Sequence, residues 1–420
     1  MSIVILFVIL LGLMFFGAPV AAAIGITNIV YLNDAGYNFS IFIQRMYANV
    51  NSTSLLALPG FIITGYLMDV GGLARRMVRF FEMITGRMTG GLALCNTATC
   101  AAFGAISGSS QATVAAIGGI MVPEMEKRGY PRPFSVALSA AGGVLDACIP
   151  PSTGIVVYCA TVGTSVAAMF KGGFAIGAIL TIGCLCVAYF KSRALKIPRA
   201  EFHFTMRDRL KITKDASLAL LFPVIIFGGI FTGWFTPTEA AVISILYSFI
   251  IGKFVYKELT VKKFFEVLRK ASVTTSTVII ITSVATCFGW IISAERVAQS
   301  VLDAFFTLSS NKYIILLLIN FALLVMGLFM NGYSIILIAA PVFAPIAVSL
   351  GLHPIQFAMM FHTITLLGFL TPPFGSLLYV GSSLFEVPVM RLAREVLPFV
   401  LIFLVIALIQ MFFPIALLFG

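Results

Sequence analysis

Twelve apolar segments fill this sequence, near residues 2–17, 20–33, 51–70, 91–126, 133–170, 173–190, 216–234, 238–256, 272–293, 313–349, 354–386 and 396–419. A helix crosses the hydrocarbon core of a bilayer in about 20 apolar residues, so there is room for roughly ten crossings with some length left over. Apolar residues make up 60% of the chain and charged ones 10%, where a soluble domain carries about 25% charged residues. The chain reads as an all-α polytopic membrane protein, with membrane lipid as its solvent.

The net charge of +11, from 27 Lys and Arg against 16 Asp and Glu, reports topology, because basic residues collect in cytoplasmic loops. It implies no nucleic acid. Seven Cys, at 95, 100, 148, 159, 184, 186 and 287, lie mostly inside apolar segments without C-x-x-C spacing, and read as small core residues. Ile3 to Phe16 followed by Ala21 to Ala23 has the outline of a signal peptide, but no Lys or Arg precedes Arg45. It reads as a retained first span.

Four long segments are interrupted. Ser107-Gly108-Ser109-Ser110 divides 91–126, and Met330-Asn331-Gly332-Tyr333-Ser334 divides 313–349. Pro150-Pro151-Ser152 divides 133–170, and Thr371-Pro372-Pro373 divides 354–386. Proline removes a backbone donor and clashes with the preceding turn, while Gly and Ser tolerate open backbone, so each helix is expected to break inside the membrane.

The second half repeats the first at a shift of 222 residues: Pro123 matches Pro345, Gly129 matches Gly351, Pro150-Pro151 matches Pro372-Pro373, and Ser52-Thr53-Ser54 matches Thr274-Thr275-Ser276. The chain divides into a first repeat over 1–190, a linker over 191–215 and a second repeat over 216–420. If 91–126 and 313–349 are re-entrant hairpins, one face receives 23 of the 27 basic residues, leaving Arg45, Lys171, Arg296 and Lys312 on the other. Single crossings would scatter them. The hairpin reading therefore gives two inverted repeats, a cytoplasmic linker and both termini outside. Gly72 to Thr85 and Ala294 to Leu308 mix charge and apolar residues at helical spacing, as interfacial connectors or bracing arms do.

Non-helical backbone at membrane depth survives only where protein or a wet cavity surrounds it, so two matched pairs of breaks mark a site. Half-helix ends supply partial charge of either sign, and Ser107, Ser109, Ser110, Asn331 and Ser334 add side-chain oxygens. A proline four residues on leaves a carbonyl without its helical donor. Asp146 and Ile149, then Gly368 and Thr371, are thereby candidate oxygen donors for a monovalent cation. The bland alternative is kinks that let small residues pack closely. The Asp146 side chain either binds a cation or proton or caps a half-helix. His362 reads as a packed or hydrogen-bonded histidine in preference to a proton relay, and Glu239 as a helix N-terminal acid.

The run Phe103-Gly104-Ala105-Ile106-Ser107-Gly108-Ser109-Ser110, with Ala115-Ala116-Ile117-Gly118, Pro123-Glu124-Met125 and Arg128-Gly129-Tyr130, resembles the large membrane subunit of tripartite ATP-independent periplasmic (TRAP) transporters. Ala140-Ala141-Gly142-Gly143, Ile149-Pro150-Pro151-Ser152, and Gly368 with Thr371-Pro372-Pro373-Phe374-Gly375 extend the likeness over essentially the whole chain. Asp146 departs from the small residue expected there. The resemblance implies a bacterial inner-membrane importer of organic acids such as sialic acid or a C4-dicarboxylate. It would be sodium-driven, with an elevator-type fold like that of the ion-transporter superfamily, a small four-helix membrane subunit and a periplasmic substrate-binding protein as partners. It also implies one sodium ion between the tip Ser107 to Ser110 and the carbonyls near Gly143, Asp146 and Pro150. A second would sit between Gly327 to Asn331 and Thr365, Gly368 and Thr371. The substrate carboxylate would lie near Ser109, Ser152, Gly332 and Thr371.

Other readings stay open at this point. A stand-alone sodium–dicarboxylate symporter shares the hairpin architecture and needs no binding protein. A channel conflicts with hairpins that fail to cross. An enzyme or ATP-driven pump lacks support, since no Gly-rich phosphate loop, H-E-x-x-H or nucleophile elbow occurs.

Overall fold

The structure, a computed structural model, describes residues 3–197, 204–330, 332–371 and 375–418. The first half comprises α1 Ile3–Phe15, α2 Val20–Asp34, α3 Ser40–Val50, α4 Thr53–Val70, α5 Leu73–Thr85, α6 Gly91–Ser107, α7 Ser110–Lys127, α8 Arg132–Cys148, α9 Thr153–Val162 and α10 Val166–Ala194. The second comprises α11 Met206–Phe231, α12 Pro237–Ile250, α13 Val261–Ala294, α14 Val297–Leu308, α15 Lys312–Phe329, α16 Gly332–Ser349, α17 Pro354–Gly368, α18 Ser376–Phe385 and α19 Val389–Phe412. A π turn, Ile251–Val255, prolongs α12. Among the described residues, six helices are long and apolar enough to cross a membrane, or up to nine spans if each bent pair counts as one. The fold is an all-α polytopic membrane protein.

The repeat recurs in the elements: α16 begins and ends 222 residues after α7, and α5, α6, α8, α9 and α10 have counterparts in α14, α15, α17, α18 and α19 at nearly the same offset. The α3–α4 unit corresponds to the single helix α13, whose 34 residues run unbroken. Three boundaries differ from the sequence expectation. The broken helix expected over 133–170 ends at Val162, because the Ser165 hydroxyl accepts from the Ala168 amide and caps the start of α10. The linker expected over 191–215 is shorter, since α10 continues to Ala194 and α11 begins at Met206 behind a capping box of Thr205 and Asp208. The basic residues from Lys262 to Lys270 lie within α13 itself. Glu239 completes a capping box with Thr236, as a helix N-terminal acid should.

Helices α2, α3, α4, α12 and α13 pack together as one group, and α6 to α10 with α15 to α19 as another. They meet where α4 touches α6 and α9 and where α13 touches α16. All the cysteines are free, and Cys186 alone is exposed. The arm α5 follows Gly72 and is tied down by Arg76. Its guanidinium donates to the Gly72 carbonyl at 2.8 Å and to Glu258 at 2.7 Å, and lies 3.7 Å from the centre of the Tyr256 ring. Arg76→Ala should therefore lower stability by about 1–2 kcal/mol. The exposed Lys270–Glu266 pair should give under about 0.5 kcal/mol when broken. Thermal melting of both variants in detergent checks the contrast.

Candidate functional site

At the tip of the first hairpin α6 stops at Ser107, Gly108 turns with φ +61°, and α7 starts at Ser110. Only glycine serves at position 108: its φ is left-handed, and a Cβ there would strike the Pro151 carbonyl in the break between α8 and α9. That break contains the cis bond Pro150–Pro151. The Thr153 hydroxyl, at the start of α9, donates to the Gly108 carbonyl at 3.2 Å. It lies 2.7 Å from the hydroxyl of Tyr333, at the start of α16. With its own proton committed to Gly108, Thr153 accepts from Tyr333, so both hairpins and one broken helix meet on a single oxygen. In the second repeat, a Cβ on Gly368 would come 2.5 Å from the Gly327 Cα. Helices α15 and α17 therefore touch backbone to backbone.

Between the tips lies a cavity of about 210 Å³. Its lining includes the first residues of four helices, namely Ser110 of α7, Thr153 of α9, Gly332 of α16 and Ser376 of α18. Each helix start presents amide donors and roughly half a positive charge. No Asp, Glu, Lys or Arg occurs among the described lining residues. The cavity thus combines an apolar wall with converging donors, a setting suited to an organic anion.

The structure brings Ser109, Ser152 and Gly332 to this cavity, along with Ser110 and Thr365. Thr371 is not part of the described lining, and its hydroxyl donates to the Leu367 carbonyl at 2.8 Å. Around the first tip, a Cβ on Gly143 would come 2.8 Å from the Ser110 carbonyl, and one on Gly104 2.6 Å from the Asp146 Cα. The Ser107 hydroxyl accepts from the Ser109 amide, and Pro150 packs toward Gly173 of α10. Gly327, Thr365 and Gly368 adjoin one another in the second repeat, while Asn331, Pro372 and Pro373 lie outside the described residues.

One expectation needs correction. The Gly368 and Thr371 carbonyls are not free: they accept from the amides of Thr371 at 3.2 Å and Gly375 at 3.0 Å, backbone donors that the missing proline N–H groups do not preclude. The Asp146 carbonyl stands four residues before Pro150, which has no N–H to offer it.

Asp146 is fully buried, and neither carboxylate oxygen makes a hydrogen bond of ordinary geometry. The polar groups facing it are the Thr113 hydroxyl and the backbone of Gly108 and Ser109. Of nine buried side-chain polar atoms without a partner among the described residues, five belong to Thr113, Asp146, His362 and Thr365. Orphaned polar atoms cost free energy in a dry interior, so their concentration here points to ligands as partners. His362 Nε2 lies 3.0 Å from the Ala147 carbonyl, joining α17 to α8. Thr113, Thr153 and Tyr333 escaped the sequence reading. Thr153 directly follows Pro-Pro-Ser, and Tyr333 stands within the second tip, so proximity to the breaks was the available signal.

Residues 7–416 match the family described as tripartite ATP-independent periplasmic transporter, DctM component. The chain belongs to this family of TRAP transporter components. It is 36% identical over 409 residues to the sialic acid TRAP transporter large permease protein of Vibrio cholerae, covering 96% of this chain and 94% of the relative. It is also 36% identical to the C4-dicarboxylate TRAP transporter large permease protein of Pseudomonas aeruginosa, over 88% of this chain and 86% of that one. In fold it is similar to the YdaH transporter of Alcanivorax borkumensis, with a TM-score of 0.60, 14% identity, and coverage of 88% and 86% of the two chains. This TRAP component is accordingly a multi-pass transporter subunit and not an enzyme. Adding one methyl group at Gly368 should force α15 and α17 apart, so Gly368→Ala is expected to cost about 1–3 kcal/mol. Gly119→Ala in α7, where a Cβ meets nothing within 4 Å, should be neutral or stabilising. Melting temperatures of the two variants in one detergent make the comparison.

Proposed function

We propose that this chain is the translocating subunit of a sodium-coupled importer of small organic acids in a bacterial inner membrane. The observation that carries this reading is the convergence of four helix N-termini on one cavity with no charged side chain among its described lining residues. Half-helix N-termini at membrane depth hold anionic groups without a fixed cation, so the site can release its ligand when its geometry changes. Ser109, Ser152 and Gly332 hold the carboxylate. Two or more sodium ions travel with it as cargo. The first is held at Ser107, Ser110, Gly143, Asp146 and Pro150, the second at Gly327, Asn331 and Thr365. The buried carboxylate of Asp146 favours a cation at the first of these, since an unpaired charge there is costly.

The division into two packed helix groups supports an elevator motion, in which the hairpin group carries the cavity across. Both termini face the periplasm in this reading. A small membrane subunit and a periplasmic substrate-binding protein complete the assembly, as the family implies. Relatives named for sialic acid and for C4-dicarboxylates match at the same 36% identity, so overall similarity does not select between those acids.

Uptake into liposomes holding this chain and its small subunit tests the proposal. Accumulation should require an inward sodium gradient and the loaded binding protein. Ser110→Ala and Asn331→Ala should each shift the sodium titration to higher concentration, by roughly tenfold for one lost oxygen ligand. Unchanged titrations in both would remove the tip sites, and uptake of free acid by this chain alone would establish a stand-alone symporter instead.

A further inference from the structure

His362 projects from α17 into the cavity lining and is 2% exposed. Its Nε2 approaches the Ala147 carbonyl, which can only accept, so Nε2 carries a proton and donates it. No acidic side chain occurs among the described lining residues to balance an imidazolium, and an unbalanced buried charge is costly. The ring is therefore neutral, with a lone pair on Nδ1. That nitrogen has no hydrogen-bond partner among the described residues.

The ring edge bearing Nδ1 faces the first turn of α9. A Cβ on Gly154 would sit 2.9 Å from Cε1 and 3.8 Å from Nδ1, with the Ser152 hydroxyl 3.7 Å away. Glycine at 154 lets the α9 backbone come close to this edge, so Nδ1 is buried as well as unpartnered. The helix starts around the cavity offer donors, which suit a carboxylate. Nδ1 offers the opposite, an acceptor without a proton, and a carboxylate oxygen placed on it would set lone pair against lone pair. An O–H or N–H group satisfies it.

From this juxtaposition we infer that His362 selects, among carboxylates, those whose skeleton carries a hydroxyl or N–H group, by accepting a hydrogen bond from that group at Nδ1. The inference rests on the carboxylate cavity proposed above and adds to it the class of acid. An acid of similar size without such a donor leaves Nδ1 buried and unpaired, which lowers affinity by about tenfold or more.

The full chain in lipid nanodiscs, in sodium chloride at one pH, is titrated calorimetrically with two sets of acids. Malate, gluconate and N-acetylneuraminate carry the donor; succinate, fumarate and glutarate lack it. The tightest ligand should come from the first set, with malate, if it binds, exceeding succinate by about tenfold. His362→Gln keeps a donor for Ala147 but carries its own acceptor, the side-chain carbonyl, away from the place of Nδ1, and should abolish the preference. His362→Asn keeps an acceptor near the place of Nδ1 and should retain it. Melting temperatures without acid report whether each variant is folded. Equal binding of the two sets, or a preference that survives in a folded His362→Gln chain, overturns the inference and leaves the carboxylate cavity standing. Binding of none of the six acids overturns both.

Discussion

A backbone N–H or C=O without a partner costs several kcal/mol in hydrocarbon, and this chain interrupts its helices at Ser107–Ser110, Cys148–Thr153, Phe329–Gly332 and Gly368–Ser376. Those breaks are tolerable because they face one another. The Gly108 carbonyl is taken up by Thr153, the Thr153 oxygen by Tyr333, and the Ala147 carbonyl by His362. Four helix starts, at Ser110, Thr153, Gly332 and Ser376, converge on the cavity. The requirement that no polar backbone meet lipid thus assembles the site: the chain cannot hide its breaks without placing its amide donors together.

Much of this was legible in the sequence because Gly, Ser and Pro leave local marks. The hairpins at 91–126 and 313–349 and the second broken helix match elements to within a residue or two, since each is bounded by a proline or a glycine turn. Less legible were elements whose boundaries depend on contacts. Helix α3 contains Gln44, Arg45 and Asn49, which break the apolar run that would announce a span; its helical period survives while its hydropathy does not. The end of α9 is masked because apolar residues continue through Val162 and resume at Val166, with the Ser165 cap as the sole punctuation. The bond between Thr153 and Tyr333 joins residues 180 positions apart and leaves no trace in either neighbourhood.

The two repeats differ where they would be expected to match. Asp146 and Gly368 occupy equivalent positions at the 222-residue shift, and both stand against backbone of the preceding hairpin, at Gly104 and Gly327. In the second repeat the contact is glycine on glycine, which brings the chains as close as backbones allow. In the first, one partner carries a carboxylate, which turns toward the tip and the Thr113 hydroxyl. The same scaffold therefore presents a bare backbone on one side and a buried carboxyl group on the other. Duplicated architecture need not mean duplicated chemistry.

The oxygen shared by Gly108, Thr153 and Tyr333 also restricts how such a chain can diverge. Its single proton is directed into one hairpin while its lone pair serves the other, so a change in either half alters the polarity felt by its twin. A substitution at either end of that hydroxyl therefore reaches both halves of the chain.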